Sequence, residues 1–99
     1  MDIEDKLLKI NLLDVVNHIK NKIKKVKRED IKVYLSTDKD ENIINIKSNK
    51  PYNHVFQYRV DNNFERMIFL NSSIDDLYFR IIHAYDVYLF ENRSKKIEE

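Results

Sequence analysis

The chain is predicted to be an α+β two-layer sandwich of order α-β-β-β-β-α, with an N-terminal and a C-terminal helix packed on one face of a four-stranded antiparallel meander. Three observations predict it. Apolar residues recur at helical spacing at both ends of the 99-residue chain, they alternate in short runs through the middle, and short polar segments suited to hairpins join the runs. At this length, and with 42% apolar residues, residues 1–99 are expected to form one domain with its own core.

Residues 3–28 carry Leu8, Leu12, Val15, Val16, Ile19, Ile23 and Val26 at three- and four-residue steps, a stripe that should face the core. Ile3, Leu7 and Ile10 fall on the opposite side of the same wheel. Asn11 followed by Asp14 resembles an N-cap with an acidic N3 residue, and Ile10 and Val15 are spaced as a hydrophobic staple. Residues 1–10 are therefore read either as a separate short helix or arm turning at Asn11, or as the start of one uninterrupted helix.

Four runs of period two follow. In 31–35 the residues Ile31, Val33 and Leu35 share a face; 36–42 is a polar turn; 42–47 carries Ile43, Ile44 and Ile46; and 48–53, with the only proline, Pro51, breaks the pattern. A third run at 54–60 places Phe56, Tyr58 and Val60 together. The segment Asp61, Asn62 and Asn63 reads as a tight hairpin, because Asn and Asp tolerate the left-handed region, and 64–70 then completes the meander. The last helix is predicted over 73–94, capped by Ser73 with Asp76, its core stripe formed by Ile74, Leu77, Tyr78, Ile81, Tyr85, Tyr88 and Leu89.

Composition then narrows the chemistry. There is no glycine, so a Walker loop, a dinucleotide fingerprint and an EF-hand turn are excluded, since each needs a residue without Cβ where backbone approaches phosphate or turns sharply. The acidic 38–42 stretch begins like a calcium loop, yet Ile43 stands where glycine is needed and Asn49 where a bidentate glutamate is needed. There is no cysteine, hence no disulfide framework, thiolate metal site or cysteine nucleophile. His18, His54 and His83 match no metal-ligand spacing, and the serines have cap and turn positions that compete with any triad role. No cofactor or metal is expected. No apolar run approaches membrane-spanning length and the acidic N-terminus is unlike a secretory signal, so a cytoplasmic protein with no membrane association is expected, and the Asn71-Ser72-Ser73 and Asn92-Arg93-Ser94 triplets are read as turn and helix-end chemistry. About half the residues have AT-rich codons while Gly, Ala and Pro total two, a bias in the style of viral and mobile-element coding. The 35% charge with a single glutamine, Gln57, also leans toward thermostable usage, against which stand eleven asparagines.

Two features rise above this background. Phe79, His83, Val87 and Phe90 gather opposite the core stripe of the last helix, and Tyr34, Val55, Met67 and Phe69 alternate with the inward set of the strands. Exposed aromatics and methionine beside Lys32, Gln57 and Arg59 are typical of interfaces, although a one-residue register shift would exchange the two sheet faces. The second feature is the run Lys20, Lys22, Lys24, Lys25, Lys27 and Arg28, continued at Lys32, which could neutralise phosphates or simply complement a helix C-terminus. The expected function is a non-enzymatic protein-binding module, a homodimer of viral or mobile-element origin acting on a host or viral protein as an inhibitor or adaptor. The alternative is a small nucleic-acid-associated protein using Lys20, Lys24, Lys25, Lys27, Arg28 and Lys32. An enzyme would require a concave pocket joining a histidine to carboxylates or tyrosines.

Overall fold

Three helices cover one face of a three-stranded antiparallel sheet in this computed structural model, which describes residues 3–61 and 63–98, with side chains as far as residue 93. The elements run α1 (Ile3–Lys25), β1 (Lys32–Asp38), β2 (Glu41–Ser48), β3 (His54–Val60), α2 (Asn63–Asn71) and α3 (Ile74–Glu98). The α+β class, the antiparallel meander and the two terminal helices agree with the sequence pattern. The fourth strand does not exist: the 64–70 run is helical, so the order is α-β-β-β-α-α.

α1 is one helix from Ile3 to Lys25 and does not break at Asn11. The Asn11 side chain has a tertiary use instead. Its Nδ2 donates to the Phe69 carbonyl at 2.8 Å, satisfying one of the acceptors that the end of α2 leaves without an intrahelical partner. The predicted stripe is buried at Leu8, Leu12, Val15, Val16 and Ile19, while Val26, beyond the helix end, is exposed. Ile3, Leu7 and Ile10 remain on the wet side.

The sheet has order β1-β2-β3, and its register places Val33, Ile46 and Phe56 in one row and Leu35, Ile44 and Tyr58 in the next. These rows, with Val60, form the inner face against the helices. Since the side-chain period of a strand is two, the same register sends Tyr34, Asn45 and Gln57, and Lys32, Lys47 and Val55, to the outer face.

α2 supplies the correction to the strand count. Glu65, Arg66, Met67 and Leu70 are straight or singly branched helix formers, and Glu65 in the first turn suits the positive end of the dipole. Phe69 is buried completely and its direct neighbours Ile68 and Leu70 both pack against the core, so burial in the run does not alternate. The segment 61–63 is accordingly the link from β3 into α2 and not a hairpin; Asn62 lies outside the described residues. Ser73 behaves as expected, its Oγ accepting from the Asp76 N–H at 3.1 Å at the start of α3.

With no glycine available, two lysines take the positive-φ positions. Lys27 at φ 56° closes α1 in a Schellman arrangement, with Arg28 N–H donating to the Ile23 carbonyl at 3.3 Å and Lys27 N–H to the Lys24 carbonyl at 3.1 Å. Lys39 at φ 58° opens the two-residue turn between β1 and β2, where a positive φ at the first position marks a type II′ geometry. A Cβ in this region costs about 1–2 kcal/mol, partly offset because glycine loses more entropy on folding. Replacing Lys39 with glycine should therefore stabilise the protein by about 0.5–1 kcal/mol, read as a rise of roughly 3–6 °C in thermal midpoint. Lys27→Gly should act in the same direction, and a fall in midpoint for both variants would contradict the assigned turn geometry.

Candidate interaction surfaces

α3 carries the surface that the sequence singles out. Leu77, Ile81 and Tyr85 are buried, with Ile74, Tyr78, Tyr88 and Leu89 packed against the core, so the helix can turn only one side inward. Phe79, His83, Val87 and Phe90 stand on the other side, Phe79 67% and Phe90 72% exposed. Phe79 makes a T-shaped contact with Tyr78, with ring centroids 5.4 Å apart. Beside the stripe, Arg80 is fixed by Glu65 at 2.9 Å and by the Tyr58 hydroxyl at 2.7 Å, while Glu91 and Arg93 are exposed.

The sheet residues assigned to the same interface divide. Tyr34 and Val55 do lie exposed on the outer face. Met67 is exposed but belongs to α2, and Phe69 is a core residue, because the segment that holds both is a helix. The outer face also points away from the helical layer, so Tyr34 and Val55 lie on the opposite side of the molecule from the α3 stripe, and one contact cannot use both. At the centre of that face Asn45 is buried among its neighbours. Its Nδ2 donates to Ser36 Oγ at 2.8 Å, and its Oδ1 accepts from Gln57 Nε2 at 3.3 Å. Sequence patterning left out of the interface the wet residues Ile3, Leu7 and Ile10 of α1 and Phe64 of α2. The signal for the α1 set was present in its period, and a proposed break at Asn11 explained it away.

The basic run borders a cleft of about 490 Å³ between the C-terminal part of α1 and β1. Lys20, Lys24, Lys27, Arg28 and Lys32 line it together with Ile23, Ile31 and Val33 and a single acid, Glu29. Lys25 does not join them, because its position on α1 turns it toward a neighbouring groove of about 340 Å³ that also contacts Tyr78 and Tyr85 of α3. Within the cleft Arg28 is already committed: Nε and Nη2 donate to the two oxygens of Asp30 at 2.9 and 3.0 Å.

A histidine and a carboxylate do share a cavity of about 440 Å³ at the end of the sheet, lined in part by Asp30, Ser48 and His54, and two tyrosines stand beside the histidine. The hydrogen bonds decide what the cluster can do. Ser48 Oγ donates to Asp30 Oδ2 at 2.7 Å, whereas His54 places Nδ1 2.7 Å from the Tyr52 carbonyl and Nε2 2.6 Å from the Tyr85 hydroxyl. If Nδ1 carries the proton toward the carbonyl, the tyrosine donates to Nε2, and both ring nitrogens are satisfied. His54 is thus not hydrogen-bonded to Ser48, although the two are register partners, and the chain from nucleophile to base to acid required for acyl transfer is not assembled. Bonds from Arg28 and then Ser48 hold the Asp30 carboxyl well below the usual range, and burial pushes the Tyr85 and Tyr52 phenols up. The cluster ties the α1–β1 link, the β2–β3 link and α3 together. Tyr52 adds to it by donating to the Leu89 carbonyl at 3.0 Å.

His18 belongs elsewhere, its ring edge-on to Tyr78 and its Nε2 3.4 Å from the Asp75 carboxylate. Among the described residues no group of three His, Asp or Glu converges to hold a metal ion, and no helix is long and apolar enough to cross a membrane. Asp38 and Glu41, from the stretch that began like a calcium loop, flank a hairpin turn and both approach Arg59. Asn71 and Asn92 each donate to a carbonyl one turn back in their helices; Asn71 does so at the end of α2, as expected of its triplet, whereas Asn92 lies inside α3, which continues to Glu98. Comparison with protein-family models, with curated proteins and with solved structures finds no match to the chain.

The Asp30 network sets an acid limit. Because the folded state lowers this carboxyl below its unfolded value, its contribution is complete above the usual carboxylate range and disappears as pH falls through it toward the lower folded value. Thermal midpoints measured downward from about pH 5 should fall, and Asp30→Asn should lower the midpoint at neutral pH while making that acid decline shallower. An unchanged slope would show that Asp30 is not part of the acid transition.

Proposed function

We propose that this protein is a non-enzymatic binding module that acts as a homodimer through the outward stripe of α3. What carries the reading is the self-complementarity of that stripe. Laid antiparallel against a second copy about a two-fold axis between His83 and Val87, Phe79 falls opposite Phe90 of the other helix, so each end of the contact has one large ring from each chain. The charges agree with this direction. Arg80 then lies beside Glu91 of the second copy and Asp75 beside Arg93, whereas a parallel arrangement brings each charged residue next to its own like charge. A two-fold contact must match itself in this way, and the aromatic ends supply the apolar area that such pairs depend on.

The wider reading is an inhibitor or adaptor of viral or mobile-element origin working in a host cytoplasm. It rests on the AT-biased composition and the lack of cysteine, which suits a reducing compartment.

Light scattering behind size exclusion, with sedimentation equilibrium to high micromolar concentration, should show a dimer. A strict monomer overturns the proposal. Because Phe90 is 72% exposed, Phe90→Asp should leave the thermal midpoint nearly unchanged while weakening dimerisation by at least about tenfold, the effect of losing a central anchor. Glu91→Arg should weaken it as well, through repulsion from Arg80 of the second copy. If both variants stay as dimeric as the parent, the contact lies elsewhere.

A further inference from the structure

We propose that the cleft between α1 and β1 binds single-stranded nucleic acid. The argument starts from which cations are already used. Arg28, Arg59, Arg66 and Arg80 are each paired with a carboxylate, but none of the cleft lysines, Lys20, Lys24, Lys27 and Lys32, forms an ion pair among the described residues. With Arg28 balanced by Asp30, four lysines against Glu29 leave three positive charges on this one surface of a chain whose net charge is +1. The remainder of the protein is therefore net negative, and the molecule is polarised toward the cleft.

The arrangement fits a repeating anion better than a single compact one. Lys20 and Lys24 are one turn apart on α1, about 6 Å along its axis. Lys27 continues the line, because the positive-φ turn that ends the helix holds it just beyond, and Lys32 faces them from β1. The spacing is comparable to that of successive phosphates along an extended strand. Between the ammonium groups the floor is apolar, formed by Ile23, Ile31 and Val33, a surface on which the face of an unpaired base can be desolvated. Tyr34 is exposed on the outer face of the sheet and does not line the cleft, so the apolar floor is the surface offered to a base. A duplex hides its base faces and gains only the phosphate contacts; a polyglutamate peptide gains the charge contacts without covering the apolar floor.

The test uses the full chain with a fluorescent 12-nucleotide mixed-sequence strand, the same sequence as a duplex, and a polyglutamate peptide, followed by anisotropy at about 50 mM salt and then across a salt titration. The single strand should bind more tightly than either competitor, with a log–log salt slope near −3 for four lysine contacts at about −0.7 each. Lys20→Gln combined with Lys24→Gln should bring the slope to roughly −1.4 and weaken binding by at least about tenfold at unchanged thermal midpoint. The Phe90→Asp monomer should still bind, which separates this proposal from the dimer. No binding at low salt, equal or tighter binding of the duplex or of polyglutamate, or insensitivity to the lysine substitutions would each overturn it.

Discussion

Leu12 and Val15 of α1 have no exposed surface, and they sit where this helix meets the sheet, α2 and α3, so the apolar stripe they belong to is the contact on which the other elements are assembled. A three-stranded sheet with one apolar face cannot stand alone in water, and each helix offers only part of the cover it needs. Truncating one buried leucine or isoleucine costs about 2–5 kcal/mol against a total stability of about 5–15 kcal/mol. The stripe from Leu8 to Ile19 is therefore committed to the core. Polar bonds then fix the angles of the pieces it holds: Asn11 to the end of α2, Arg66 of α2 to Asp5 of α1, and Arg80 of α3 to Glu65 of α2.

Much of this arrangement was legible in the residues. In the α1 stripe from Leu8 to Ile23, the alternation of Val33 with Leu35 and of Phe56 with Tyr58, and the inward set of α3, the pattern and the structure agree, whereas Val26 lies past the helix end and is exposed. The misreading of 64–70 has a specific cause. Phe64, Met67, Ile68, Phe69 and Leu70 are apolar at both periods, and in so short a run only the helix-forming Glu65, Arg66 and Met67, together with a partner for Phe69 that lies far away in sequence, separate the two states. Asn11 misled for the same reason. A side chain with the chemistry of a local cap satisfies a carbonyl 58 residues away, and local signals carry no information about that distance.

The candidate surfaces were legible residue by residue but not as surfaces. Tyr34 and Phe79 are both exposed, as their positions in the pattern imply. That they face opposite ways follows only once all the helices are known to lie on one side of the sheet, and this depends on the loss of the fourth strand. Lys25 was grouped with Lys24 by sequence and is separated from it by the 100° step of a helix, which turns one lysine into the α1–β1 cleft and the next toward α3.

The lack of glycine reaches further than the motifs it excludes. A Schellman turn needs a left-handed residue, and here lysine takes the place that glycine usually fills, at a local conformational cost. The same substitution adds a cation at the point where α1 reverses toward β1, so the backbone constraint and the charge of the cleft meet at Lys27. The division of labour between the two basic residue types sharpens this. Guanidinium forks suit bidentate pairing and are used for internal ties, at Asp30 and across the helices, whereas the strongly hydrated ammonium groups stay on the surface. A chain that is nearly neutral in total thus becomes locally basic by pairing Arg28, Arg59, Arg66 and Arg80 with carboxylates and leaving the cleft lysines to the solvent. Net charge by itself gives no sign of that separation, because it averages over pairing that only the fold determines.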